Sequence, residues 1–415
     1  MSRRVLRSVV AAVLLLLVAG GTLVFVRWHE QFEETTIPET PLPTVNAHDY
    51  YSNAGRAIQD WMQVHFAYEA MRNREPLEPR QIRELLAQSE PAKGILETGL
   101  AYPYVMPPFR ATPLPLGERA LPEILPLLEL LALTVENEGD RQNLSRAWQA
   151  ALRCLHITTD LPWYASASHL QMALDHERFL RFRLWKWSDT LPPREGRTVV
   201  RELEDLEAHR AAFAESMQWE KWATLRYLHG QFRRKSVSSV ASEIGVLTFA
   251  NQWAIWRTRK SEILARYAAE MDSRINWAKN PLAGEMPKLA TPLDPLTKAL
   301  LPDAEALWRE VRFIRAQAAL LIAEVAVYVS QKETGTLPDS LELLVQQGIL
   351  RSLPQDPYSD KPLVYRRLPA NRFALYSIGP DNRDDGGTFP VEISTREPVT
   401  DVPGDILAGG PLGRR

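Results

Sequence analysis

The sequence predicts a mainly α-helical protein: an N-terminal transmembrane helix, an irregular multi-helix domain, and a small α+β C-terminal module with a short antiparallel sheet. Three observations carry this. An uncharged run of bilayer length, "SVVAAVLLLLVAGGTLVFV", covers Ser8–Val26. Apolar residues then recur at three- and four-residue spacing through most of the chain, which is the helical period. Only late in the chain does the pattern change to alternation with aromatics, in "PLVYRRL" and "RFALYSI", as strands require.

The apolar run spans about 28 Å at the helical rise, close to the hydrocarbon core of a bilayer. Arg3, Arg4 and Arg7 precede it, and Glu30, Glu33 and Glu34 follow Arg27 and Trp28. That asymmetry predicts a single-pass protein of the inner membrane, N-terminus in and bulk extracytoplasmic. A cleaved signal peptide would end near Ala19-Gly20-Gly21, but apolar residues continue through Leu23–Val26, which favours an uncleaved anchor. Residues 1–28 are therefore read as cytoplasmic N-terminus and anchor. Residues 29–48, with prolines at 38, 41 and 43, are read as a stiff linker.

The helical domain is predicted over 49–302. Its clearest segments are "NLSRAWQAALRCLHITTDL", "SASHLQMALDHERFLRFRLWKW", "REGRTVVRELEDLEAHRAAFAESM" and "NQWAIWRTRKSEILARYAAEMDSRINWA". Proline-rich stretches at 102–118 and 281–302 interrupt the pattern, and no internal repeat runs through it. The C-terminal module is predicted over 303–415. It comprises one long helix to about 330, a short helix in "TGTLPDSLELLVQQGIL", and two strands joined by "LPANR".

Composition excludes several classes. The chain is 45% hydrophobic and 24% charged, the profile of a folded protein, and its net charge of -2 argues against a nucleic-acid partner. The single cysteine, Cys154, excludes an intrachain disulfide and any cysteine-only metal cluster; its apolar helical context predicts a buried structural thiol.

Signatures of phosphate loops, nucleophile elbows and HExxH zinc helices are missing from the sequence. His169 and His176 share a helix face with Asp175 and Glu177 nearby, but a zinc site needs a third convergent ligand, so the pair reads as structural. Trp163, Trp185, Trp187, Trp219, Trp222, Trp253, Trp256 and Trp277 crowd the helical domain, where large rings fill gaps between irregular helices. One stretch, "RFRLWKW", alternates indoles with Arg181, Arg183 and Lys186. It would line a groove for an acidic ligand if Trp185 were half-open.

The last motif is "PDNRDDGG". It places Asp381, Asp384 and Asp385 in a turn closed by Gly386 and Gly387. Against a calcium EF-hand starting at Asp381, Arg383 stands at a ligand position and strands flank the loop, so that template fails. Aspartate and glycine are also ordinary turn formers.

A resemblance adds to this reading. From about 311 to 406 the order of elements, with "DPYSDKPLVYR", "FALYSIGPDNRDDGG" and "PGDI", resembles the globular part of the major pseudopilin of type II secretion systems. That resemblance implies a calcium ion bound through the acidic loop, with Asp381, Asp384, Asp385 and Asp405 as metal ligands. The chain departs from the family by lacking a prepilin peptidase site before the apolar run. It is therefore not expected to polymerise as a pilin. The whole arrangement is also similar to membrane-anchored bacterial proteins of planctomycete type that append such a tail to a helical domain.

The expectation is a non-enzymatic membrane-anchored protein that scaffolds or binds protein partners at the cell envelope, with calcium holding its tail. The alternatives are an envelope metal-dependent hydrolase built on His169 and His176, or a ligand-binding protein using the Trp/Arg groove.

Overall fold

The computed structural model describes residues 30–32, 36–39, 41–107, 123–280, 286–288, 293–387 and 404–407. The predicted transmembrane run lies outside these residues. What they form is mainly helical, with two small antiparallel sheets near the C-terminus.

Helices α1 (Ala47–Arg56), α2 (Trp61–Arg72), α3 (Pro79–Gln88) and α4 (Glu90–Gly99) come first. Asn46 and Asp60 cap α1 and α2 by accepting from the His48 and Gln63 N–H groups, and prolines occupy the first turns of α3 and α4. α1 lies along α4, while α2 and α3 lie on α5 (Leu125–Asp140). α5 buries Leu127, Leu128, Leu130, Leu131 and Leu133, so it is apolar nearly all round and forms the centre of this half. α6 (Leu144–Asp160) runs along α5, with Cys154 buried between them. α7 (Ala167–Leu184) and α8 (Pro193–His209) both pack on α6.

Two segments that the periodicity presents as continuous are broken. α8 stops at His209 and α9 (Phe213–Phe232) starts after three non-helical residues. The break has a side-chain cause. Arg210 leaves the helix with ψ 130° and turns its guanidinium inward onto two carboxylates. It meets Glu177 at 3.0 and 2.6 Å and Glu207 at 2.9 and 3.0 Å, while Arg181 bridges the same pair at 3.1 and 2.8 Å. Burial alone would raise the Glu207 carboxyl, but Arg210 and Arg181 hold it at about 2. The second break separates α11 (Gln252–Arg257), which follows α10 (Val237–Glu243), from α12 (Lys260–Ala278). Thr258 and Arg259 are extended there.

A short α13 (Pro295–Leu300) forms inside the third proline-rich stretch, capped by Asp294 accepting from the Thr297 N–H. The following helix, α14 (Ala304–Thr334), ends on Gly335 at φ 79°, where the left-handed cap favours glycine. The segment 295–334 is long and apolar enough to cross a membrane, yet 83% of its most apolar window is buried inside the protein. It is a core helix, covered on one side by α7 and α8 and on another by the C-terminal sheet.

After α15 (Leu341–Gln346), β1 (Gln355–Asp356) pairs with β2 (Lys361–Pro362). β3 (Val364–Leu368) and β4 (Arg372–Ser377) form the predicted hairpin, Leu368 opposite Arg372, with Ala370 and Asn371 at φ 60° and 56° in the turn. β5 (Ile406–Leu407) adds antiparallel to β4. Asp356 ties the two sheets together. Its fully buried carboxylate accepts from Tyr358 N–H, Ser377 Oγ and Ile378 N–H at 2.9, 2.8 and 2.9 Å.

Candidate functional site

The acidic loop shows where the predicted metal ligands go. Asp405, buried directly before β5, accepts the Asp385 N–H at 3.3 Å and the Gly387 N–H at 2.6 Å. Asp384 is exposed; it accepts from Tyr376 Oη at 2.8 Å and the Gly386 N–H at 3.0 Å, and pairs with Arg366 at 3.3 Å. Those partners, Tyr376 first, hold its carboxyl below the usual range. Asp381 accepts the Arg383 N–H at 3.1 Å in a local turn. Gly379, at φ 70°, lets the loop touch the last strand: a Cβ there would lie 1.9 Å from the Gly404 carbonyl oxygen.

The loop is thus closed by hydrogen bonds within the chain. Among the described residues no group of three or more His, Cys, Asp or Glu side chains gathers around a point where a metal ion could sit. In this arrangement the Asp384 and Asp405 oxygens accept from Tyr376, Arg366 and loop N–H groups.

His169 and His176 are buried in α7. The His169 Nδ1 pairs with Ser166 Oγ at 2.8 Å, and the His176 Nδ1 with the Met172 carbonyl at 2.9 Å, its ring stacked on Tyr68. Burial drives both imidazoles toward the neutral form, His169 to about 4. They serve packing. Trp185 is 2% exposed, and Trp187 lies so close to α5 that a Cβ on Gly139 would fall 2.0 Å from its ring. Arg181 belongs to the buried ionic network, and Arg183 pairs with Glu136 at 2.9 Å while covering the Phe179 ring. The groove expected of "RFRLWKW" does not open at Trp185.

A different constellation does open to solvent. α4, α6 and α8 enclose a cleft of about 820 Å³. Its floor is apolar, with Trp148, Leu152, Val199 and Leu206; its rim carries Arg153, Arg194, Glu202 and Asp205. At one end stand His156 of α6 and His209 of α8. Between them lies Asp160, 2% exposed. His156 and Asp160 are four residues apart and share a helix face, their side chains 3.6 Å apart. The His209 Nε2 reaches the other carboxylate oxygen at 3.3 Å. From α1, Tyr51 Oη donates to Asp160 at 2.7 Å. Trp163 fixes the end of α8 by donating to the His209 carbonyl at 3.0 Å and laying its ring by the imidazole.

The electrostatics follow. Asp160 sits at the negative end of the α6 dipole, where a carboxylate is disfavoured unless cations or donors surround it. The hydrogen bond from His209 to Asp160 raises that imidazole above its ordinary value, against a smaller opposing effect of burial. Burial, then Asp160, pushes the Tyr51 phenol far above its usual range, so it acts only as a donor. The arrangement is an imidazole pair held on one buried carboxylate beside an open cavity, with the His209 imidazole the one raised by that carboxylate.

The reading from sequence missed this site. "HITTD" does carry the His156–Asp160 spacing, but His209 and Tyr51 come from other helices and no local pattern joins them. No family model matches the chain, and no curated protein or solved structure is significantly similar to it.

Proposed function

We propose that this chain is a membrane-tethered, extracytoplasmic scaffolding protein that receives a segment of a partner polypeptide in the α4–α6–α8 cleft. The observation that carries the reading is the cleft itself: an apolar floor, a rim of both charge signs, and a titratable pair at one end. Such a surface suits an extended peptide, whose apolar side chains fill the floor while its backbone and charges meet the rim. The anchor rests on the apolar run Ser8–Val26 and the charge asymmetry around it. The pseudopilin-like character of the tail draws support from its order of long helix, short helix, hairpin and final strand. This reading asks nothing of calcium.

The test is a photo-crosslinking amino acid at Gln149, on the cleft lining, in the full chain in its native membrane. A discrete adduct with a polypeptide is expected, lost when Thr198→Trp fills the rim. No adduct, or one indifferent to Thr198→Trp, overturns the reading.

A second reading, an envelope hydrolase, is favoured by one observation: Asp160 holds the His209 imidazole as it would a general base. It requires that His209→Gln abolish function while leaving the crosslink intact.

A further inference from the structure

The two most exposed aromatic side chains among the described residues, Phe249 and Trp253, fall together with Trp256; Phe66 and Trp61 on α2 are the next most exposed. Phe249 is 91% exposed, Trp253 68% and Trp256 37%, all within the α10–α11 region. Trp253 and Trp256 meet edge to face at 5.6 Å, so they form one knob rather than scattered residues. Isolated exposed aromatics need no explanation, but a contiguous set marks an interaction surface.

Where the knob sits identifies its partner. Only Thr258 and Arg259 separate α11 from α12. At the first turn of α12, Glu30 accepts from the Lys260 N–H and from Ser261 Oγ, each at 3.1 Å. Phe32 then packs its ring on His229 and Phe232 at the end of α9, and the Lys260 ammonium donates to the Phe232 carbonyl at 2.7 Å. The first described residues are therefore docked on the same end of the molecule as the knob. Glu30 follows the last apolar residue, Val26, by four positions, a reach of at most about 15 Å.

The charges complete the surface. Arg234, Arg257 and Arg259 are exposed around this end. Of the neighbouring acids, Glu243 pairs with Lys235, and Glu262 pairs with Arg266 while accepting the Arg259 N–H. Indoles at headgroup level with arginines beside them are the chemistry of the bilayer interface, and an anionic leaflet attracts the arginines further.

From this we infer that Phe249, Trp253 and Trp256, flanked by Arg234, Arg257 and Arg259, rest on the anionic lipid surface from which the chain emerges. Contact there orients the helical body and fixes which way the α4–α6–α8 cleft faces. The inference rests on the N-terminal anchor proposed above.

The test uses the full chain in vesicles of phosphatidylcholine, with or without phosphatidylglycerol. Phe249→Cys, and separately Phe66→Cys on α2, carry an environment-sensitive fluorophore; the native Cys154 is fully buried. A lipid-borne quencher should quench the probe at 249 several-fold more than at 66. The excess should shrink with Arg257→Glu plus Arg259→Glu, and at high salt, which screens exposed charges. Equal quenching at the two positions in a chain that floats with the vesicles overturns the surface and leaves the anchor standing. A chain that does not float removes both.

Discussion

Two clusters of buried charge share helix α8 and differ in their partners. At the junction of α7, α8 and α9, Glu177 and Glu207 face Arg181 and Arg210, two acids against two bases. Against the effect of burial, Arg210 and Arg181 hold Glu207 at about 2, and Glu177 and Glu207 keep Arg210 above its ordinary value. At the end of the cleft, Asp160 has His209, His156 and a phenol as its side-chain partners among the described residues. That cluster holds an imidazole, His209, raised by its carboxylate, and it faces open volume. Burial of charge alone therefore does not mark a site here. The closed, balanced network sets a helix break; the titratable one meets the cavity.

The comparison breaks most directly at Arg210. Arg210→Ala strands Glu177 in the interior with half of its cations and frees the α8–α9 junction. Loss of one partner of a buried pair costs about 3–5 kcal/mol, and denaturant unfolding of the full chain in detergent should show a fall of that order. The fall should be the same at pH 6 and pH 8. A pH-dependent loss would mean that the network titrates, and the contrast with Asp160 would disappear.

The cleft cluster should give a smaller effect with a definite pH signature. The His209 pKa is raised in the fold, by its hydrogen bond to Asp160 first. A raised folded pKa contributes stability that is complete below the unfolded value of about 6.5 and is lost as pH rises through the folded value. The thermal midpoint of wild type should therefore exceed that of His209→Gln at pH 5.5 and approach it by pH 8.5. Asp160→Asn should abolish the pH dependence of that difference. A gap that widens toward alkaline pH would reverse the assignment.

How much of this was legible depends on which forces are local. Helical period and strand alternation are properties of neighbours in sequence, so α14 and the β3–β4 hairpin were readable from "DAEALWREVRFIRAQ" and "VYRRLPANRFALYS". The α8–α9 break was not, because "EDLEAHRAAFAES" keeps helical spacing throughout. What breaks it is the attraction of Arg210 to Glu177, which lies on α7. Asp160 illustrates the same limit. Its role needs Tyr51, His156 and His209, contributed by three helices. The Pro-rich stretch 281–302 misled for a related reason: proline opens a helix as readily as it ends one, and Asp294 caps α13 directly before Pro295.

The smallest effect is expected where the sequence was most suggestive. The acidic loop forms a third cluster, neither balanced by buried cations nor titrated by imidazole. Its core carboxylate, Asp405, is pushed upward by burial and by Asp384 and Asp385, while the Gly387 and Asp385 N–H groups pull it down. Those N–H bonds already occupy both oxygens, and Asp384 is committed to Tyr376 and Arg366. These contacts already hold the loop closed without an ion, so millimolar calcium should leave the thermal midpoint unmoved. Asp384→Ala, at an exposed ion pair, should cost under about 1 kcal/mol, with or without the ion. A midpoint that rises with calcium in wild type and not in Asp381→Ala would show that the loop rearranges into a ligand set. The comparison would then gain a cluster whose charge is balanced from outside the chain.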